Sequence, residues 1–167
     1  MSDKTPIHIR RNVESYTDPY ITDECLPENT ECKRCGSVYA AGRWYLKDQA
    51  PEMKSEAPVH QTICPACRKQ QDKLPGGVLT LSGTFIARHK DEILNLVRNQ
   101  SSKAQNVNPL ERIIDLESSD DEITVTTTNE KLAQRIGRAL HRAYDGEIEY
   151  QFGEDTKLAR VNWRREL

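Results

Sequence analysis

Four cysteines are arranged as two C-x2-C pairs, and this spacing is the strongest chemical signal in the sequence. The pairs are Cys32-Lys33-Arg34-Cys35 and Cys64-Pro65-Ala66-Cys67. Each pair can present two thiolates from one tight turn, and two such turns form a tetrahedral site that suits Zn2+. Gly36 follows Cys35 and can adopt the positive φ that such a turn requires. We therefore predict one zinc ion, bound by Cys32, Cys35, Cys64 and Cys67.

The same ligands predict a structural metal ion rather than a catalytic one. Four thiolates fill the coordination sphere and leave no position for an activated water. A dithiol redox pair is the competing interpretation, but that chemistry uses a single C-x-x-C near a βαβ unit. His60 is an alternative ligand, and the fifth cysteine, Cys25, is either a free thiol or an alternate ligand.

Composition limits the class of protein. Only 36% of the 167 residues are hydrophobic and 30% are charged, which predicts one domain or two small ones. No apolar run approaches the roughly 20 residues that cross a bilayer, and the N-terminus lacks the apolar segment of a signal peptide. We expect a cytoplasmic protein without membrane contact. Thiols stay reduced in that compartment, so paired cysteines indicate metal binding before disulfides.

Overall charge gives no argument for nucleic-acid binding. The net charge is −2, from 24 basic and 26 acidic residues, and a loaded tetrathiolate site would add further negative charge. Any such argument must come from local patches.

One local patch is a stripe of cations on the C-terminal helix, which we call the basic stripe: Lys131, Arg135, Arg138 and Arg142. Spacings of four, three and four residues place these side chains on one side of a helix. No acidic residue follows Glu130 within the helix to pair with them. The stripe predicts binding to phosphates or to an acidic protein, with a plain solvated face as the alternative.

A second candidate RNA contact is Arg43 with Trp44, on the hairpin between the cysteine pairs. Cations near the cysteines are also expected merely to offset the charge of the metal centre. Three arginines of the last strand could extend the basic stripe: Arg160, Arg164 and Arg165.

The elements that must position these residues predict an α+β fold in four segments. Residues 1–24 form a flexible arm, 25–74 a zinc ribbon, 75–107 a linking strand and helix, and 108–167 a small α+β domain. Val78–Leu81 is strand-like, and a helix begins near Thr84. The last segment has the order β-β-α-β-β, with Asn129 as the N-cap of its helix and Asp145-Gly146 as its end.

Catalytic motifs are absent from the sequence. There is no P-loop, no G-x-S-x-G and no H-E-x-x-H. A group of carboxylates, Asp115, Asp120, Asp121 and Glu122, could serve a nuclease or hydrolase, but its place in a predicted turn favours simple solvation. We expect a protein that is not an enzyme.

Several stretches together resemble a family of bacterial zinc-ribbon proteins. They are the two cysteine pairs, Gly42-Arg43-Trp44, Pro75-x-Gly77 through Gly83, Asn108-Pro109-Leu110-Glu111-Arg112, and Thr126-Thr127-Thr128 through Tyr144. The layout is also similar to the N-terminal zinc-binding part of the adaptor that exports the large ribosomal subunit in eukaryotes. The resemblance implies zinc at the cysteines and work on the ribosome or another RNA.

These observations favour a non-enzymatic, zinc-stabilised binding protein that docks on ribosomal RNA or a ribosomal subunit. Its predicted RNA-binding residues are Arg43, Trp44, Lys131, Arg135, Arg138 and Arg142. The alternatives are a protein-interaction adaptor with an acidic protein partner and, behind it, a nuclease or hydrolase.

Overall fold

The α+β class is confirmed by the computed structural model, which describes residues 26, 29–51, 59–153 and 158–167. The predicted arm and Cys25 lie outside these residues. The described chain forms two mixed sheets and three α-helices. The strands are β1 Thr30–Cys32, β2 Val38–Ala40, β3 Arg43–Tyr45, β4 His60–Thr62, β5 Gly77–Ser82, β6 Ile113–Ser118, β7 Glu122–Thr127, β8 Glu147–Phe152 and β9 Ala159–Arg164. The helices are α1 Pro65–Asp72, α2 Thr84–Val107 and α3 Glu130–Tyr144.

The smaller sheet belongs to the cysteine module, which we define as residues 29–74. Its strand order is β3-β2-β1-β4, antiparallel except for the parallel pair β1–β4. The core of this module is very small. Besides Trp44 and Ala66, it consists of buried cysteines: Cys32, Cys64 and Cys67. So little apolar surface is buried that a metal ion bound by the cysteines would contribute much of the folding free energy.

The larger sheet belongs to the C-terminal unit, residues 75–167, and has the order β6-β7-β5-β9-β8. Strand β5 is central, antiparallel to β7 and parallel to β9. Alternate residues of these strands, such as Leu79, Val125 and Trp163, pack against α2 and α3 in one core. The strand and helix expected in a linking segment thus supply the centre of this sheet and part of its helical layer. Residues 108–167 therefore do not build the larger sheet alone, because its central strand is β5.

The other face of the larger sheet is polar. Exposed and buried residues alternate along β9, so Arg160 and Arg164 lie on the face opposite the helices. They therefore do not extend the basic stripe of α3. Arg165 has a packing role: its guanidinium carbon lies 4.1 Å from the centre of the Phe85 ring and it donates to the Tyr144 carbonyl oxygen.

Local signals set the helix ends. The side chain of Asn129 accepts a hydrogen bond from the Leu132 amide (3.0 Å), which confirms the predicted N-cap of α3. Asp145 and Gly146 both have positive φ where α3 ends. None of the described helices is long and apolar enough to cross a membrane.

Candidate metal centre

The structure brings the four predicted ligands together. The sulfur atoms of Cys32, Cys35, Cys64 and Cys67 all lie within 4.8 Å of one another. The Cys32–Cys67 sulfur distance is 3.8 Å and the Cys35–Cys64 distance is 3.7 Å. A tetrahedron with metal–sulfur bonds of about 2.3 Å has edges of about 3.8 Å. The four thiols therefore have the spacing of a tetrahedral metal site, and His60, exposed on β4, is not part of this group.

The first pair of ligands lies on a tight turn that follows β1. The Gly36 amide donates to the Cys32 carbonyl oxygen (2.9 Å), and the Cys32 amide donates to the Ser37 carbonyl oxygen (2.8 Å). Gly36 has a φ of 80°, as the sequence predicted for this position. This turn places both sulfur atoms on the side of the second pair.

The second pair begins a helix that the sequence did not predict. Cys64 is the N-cap of α1, with Pro65 at its first position. Two amides point at sulfur: Cys64 N–H to Cys32 Sγ (3.3 Å) and Cys67 N–H to Cys64 Sγ (3.4 Å). Amide donors of this kind orient the ligands and stabilise their thiolate form.

A residue far along the chain completes the surroundings of the sulfur atoms. Arg112 is only 6% exposed, and its guanidinium contacts three of the four ligands. Nη1 lies 3.1 Å from Cys67 Sγ, whereas Nη2 lies 3.1 Å from Cys35 Sγ and 3.6 Å from Cys64 Sγ. A positive charge thus lies directly against the four-sulfur cluster.

The environment of the free thiols favours negative charge on the sulfur of Cys35. The hydrogen bond with Cys64 lowers the pKa of Cys35 to about 3, with Ser37 and Arg112 acting in the same direction and burial opposing them. The same bond raises the pKa of Cys64, with burial adding to that increase, and burial also raises the pKa of Cys67. Burial would lower the pKa of Arg112, but its sulfur contacts outweigh burial and raise it. The guanidinium therefore remains charged and stabilises the thiolate form that binds metal ions.

The metal centre lies where the cysteine module meets the C-terminal unit. Two polar side chains of α1 reach across this contact. Lys69 Nζ donates to the Thr128 carbonyl oxygen (2.9 Å), and Gln70 Nε2 donates to the Ile113 carbonyl oxygen (3.2 Å). The register places Ile113 and Thr127 side by side at one end of the larger sheet. The module therefore docks at that end.

The predicted RNA-binding residues lie on two different elements, α3 and β3, and their environments differ. On α3, Lys131, Arg138 and Arg142 are exposed, and none forms an ion pair with a carboxylate among the residues that the structure describes. Arg135 is half-buried and donates from Nε to Gln100 Oε1 (3.1 Å).

The pair on the module hairpin has a different character. Arg43 is exposed and lies 4.6 Å from the Tyr45 ring centre. Trp44 is only 6% exposed and packs edge-on against Tyr39, with ring centres 5.5 Å apart. Its ring has no open face for a base, so we assign Trp44 to the core of the module.

No protein-family model, curated protein or solved structure matches this chain. Sequence reasoning found the four clustered cysteines but assigned no role to Arg112 or Gln70, and it counted Lys69 only among the cations near the cysteines. For Arg112 a signal existed, since it ends the Asn108–Arg112 stretch that carried part of the family resemblance.

Proposed function

We propose that this chain is a non-enzymatic, zinc-stabilised binding protein that docks on ribosomal RNA or a ribosomal subunit. Zinc is the favoured ion because four sulfur ligands at tetrahedral spacing suit Zn2+ and leave no open coordination position. On this proposal residues 25–74 are a zinc ribbon and the ion is structural. The resemblance to bacterial zinc-ribbon proteins, and a cytoplasmic location beside the ribosome, belong to the same proposal.

One observation supports an anionic partner: the basic stripe is of a single sign, and three of its four side chains are exposed. From Lys131 to Arg142 it spans twelve residues of α3, or about 16 Å along the axis. Like charges at this spacing repel by a few tenths of a kcal/mol per pair, so a stripe without acids between its members weakens an isolated helix slightly. A row of phosphates would remove that repulsion and gain charge-assisted hydrogen bonds.

The row of cations favours contact with the RNA backbone rather than with splayed bases. The large aromatic rings near the helices, Phe85 and Trp163, are buried, and Trp44 is buried in the module, although Phe152 at the end of β8 is 49% exposed. Single-stranded RNA is generally bound by stacking bases on exposed aromatic side chains, whereas double-helical RNA is bound through phosphates and shape. Folded ribosomal RNA offers the second kind of surface.

Charge reversal within the stripe tests this proposal. Arg138→Glu should weaken cosedimentation with ribosomal subunits and lower the salt dependence of RNA binding, because phosphate contacts are lost. The new glutamate lies three and four residues from Arg135 and Arg142, so it should support the helix rather than unfold it. Arg160→Glu makes the same charge change on the opposite face and should leave binding unchanged. Equal binding by wild type and Arg138→Glu would contradict the proposal.

An adaptor that binds an acidic protein is the second candidate. The observation that favours it is the same basic stripe, whose exposed cations suit the carboxylates of an acidic protein as well as phosphates. A pull-down that survives ribonuclease and contains no ribosomal protein would replace the RNA proposal with this one.

A hydrolase or nuclease has weaker support. Asp115, Asp120, Asp121 and Glu122 are exposed on or beside the β6–β7 hairpin. Among the described residues, the four cysteines lie close enough together to share a metal ion, whereas these carboxylates do not form such a group. The proposal therefore assigns these carboxylates to solvent.

A further inference from the structure

Arg112 is a buried charge that the proposed RNA function does not use. Arginine keeps its charge in proteins, and burial of an unpaired charge is strongly unfavourable. No described carboxylate forms an ion pair with Arg112; its guanidinium lies instead against Cys67, Cys35 and Cys64. A divalent ion bound by four thiolates has a net charge of about −2. A loaded metal centre is therefore the counter-charge that the position of Arg112 requires.

The backbone and side chain of Arg112 are fixed in the C-terminal unit. Its Nε donates to the Pro109 carbonyl oxygen (2.6 Å), and its amide donates to Thr128 Oγ1 (3.0 Å). Thr128 in turn donates from its amide to the Arg112 carbonyl oxygen (2.9 Å) and from Oγ1 to the Leu110 carbonyl oxygen (2.6 Å). These bonds hold the guanidinium at one point relative to the larger sheet.

The chain of contacts continues to the helix that carries the basic stripe. Thr128 precedes Asn129, the N-cap of α3, and its carbonyl oxygen also accepts the bond from Lys69 of α1. Hydrogen bonds thus connect the four sulfur atoms, Arg112, Thr128 and the start of α3.

We propose that Arg112 is a positioning residue of the metal centre, and that a metal ion bound by the four cysteines fastens the cysteine module to the C-terminal unit through it. The metal then sets the relative placement of two units as well as the fold of one. The proposal rests on metal binding at the four cysteines but not on RNA as the partner.

The test compares three variants of the full-length, zinc-loaded chain. Arg112→Met removes the charge and the donors at similar volume, and Arg112→Lys keeps the charge but loses the planar fork. Arg68→Met is the matched control, because exposed Arg68 follows Cys67 but has no described hydrogen bond to sulfur. Zinc transfer to a competing chelator should be about 10–100-fold more favourable for Arg112→Met, the usual effect of losing an outer-sphere partner. Arg112→Lys should recover part of this loss, and Arg68→Met should match wild type.

Substitution of cobalt for zinc gives a spectroscopic readout that would not change if Arg112 only supported the fold. Removing a cation and its hydrogen bonds raises the energy of the sulfur lone pairs. The sulfur-to-cobalt charge-transfer band of Arg112→Met should therefore shift to longer wavelength, with a smaller shift for Arg112→Lys and none for Arg68→Met. An unshifted band, together with unchanged zinc affinity, would overturn the proposal.

Docking is tested by hydrogen exchange at the amides of Arg112 and Thr128 in the full chain. Chelation of zinc from wild type should speed exchange at both amides, and zinc-loaded Arg112→Met should do the same. Gln70→Ala loses the Ile113 contact and a longer hydrogen bond from Arg112 Nη1 (3.4 Å) but no sulfur contact, so it should speed exchange and leave the cobalt band close to that of wild type. Equal protection with and without zinc would refute the fastening role, and absence of metal from wild type would instead refute the zinc site itself. If Arg112→Met does not fold, Arg112→Lys and the chelation experiment decide between these outcomes.

Discussion

At the scale of single residues, Glu166 connects the last residues of the chain to α2. Its carboxylate accepts from the amide (3.0 Å) and the hydroxyl (2.7 Å) of Thr84, the first residue of that helix. Arg164 donates to the other oxygen at 2.8 Å. A negative charge at a helix N-terminus satisfies free amides and interacts favourably with the helix dipole. Glu166 thus caps α2. No short sequence motif could reveal this role, because Thr84 lies 82 residues before Glu166 in the chain.

The pH dependence of stability should reveal this cap. The hydrogen bonds from Thr84, followed by those from Arg164, lower the pKa of Glu166 to about 2 from 4.5. Because the pKa of Glu166 is lower in the folded state than in the unfolded state, its carboxylate stabilises the fold fully above pH 4.5. This stabilisation is lost as the pH falls toward 2. Glu166→Gln should therefore melt at a lower temperature than wild type near neutrality, and the difference should narrow below that window. Glu117→Gln, on an exposed site of the sheet, is the control. A constant difference across the window would contradict this role.

At the scale of elements, close backbone contacts fix how the larger sheet meets its helices. Gly83 joins β5 to α2 with a φ of 115°, and a Cβ at this position would lie 2.0 Å from the Arg165 carbonyl oxygen. The Arg165 amide donates to the Ser82 carbonyl oxygen (3.1 Å), so the end of β9 passes directly over this glycine. The junction therefore requires a residue without a side chain.

Gly83→Ala should destabilise the C-terminal unit by roughly 2–4 kcal/mol, since backbone must shift to relieve the clash. Gly42→Ala is the matched control: its φ is 82°, but no atom lies within 4 Å of the added carbon. That change should cost only about 1 kcal/mol, from the positive φ alone. Chemical denaturation followed at Trp163 for the first variant and Trp44 for the second measures both values. Equal costs would show that the contact with Arg165 relaxes freely.

Sequence patterns predicted long elements better than short ones. The helix α3 and its N-cap follow from an apolar stripe and from Asn129, both of which act within a few residues. Strands β1 and β4 have three residues each, and α1 has eight, mostly polar, residues. Segments this short have too few periods to stand out. Their structure depends on the cysteines that they bring together.

At the scale of the whole molecule, the two units should respond differently to loss of metal. The C-terminal core is apolar and large, including Leu79, Ile136, Leu140, Val161 and Trp163. The module has the cysteines as most of its core. Chelation of metal from the full chain should therefore unfold residues 29–74 while α2, α3 and the larger sheet persist.

Heteronuclear NMR would check this prediction. Amide signals of the module should lose their dispersion on chelation and recover when zinc is restored, while those of the C-terminal core should remain dispersed. Cys64→Ser, which removes one ligand, should reproduce the chelated spectrum. Collapse of the whole spectrum, or no change at all, would refute separate metal dependence.

The sequence by itself determined the cluster of four cysteines, the sharp turn at Gly36, the start of α2 near Thr84, and the N-cap and end of α3. These features depend on spacing and on contacts between near neighbours, which a single chain displays directly. Only the tertiary structure decided that β5 is the central strand, that Trp44 is buried, and that Arg160 and Arg164 face away from α3.

The metal centre likewise combines residues that the sequence predicted with a contact that only the tertiary structure decided. The two C-x2-C pairs predicted the site, but nothing local connects Arg112 with Cys35, from which it is separated by 77 residues. That contact exists because strand pairing and helix packing bring the end of the larger sheet against the cysteine module. Long-range pairing depends on the combined burial of many side chains, so it is decided when the chain folds and not by any one segment.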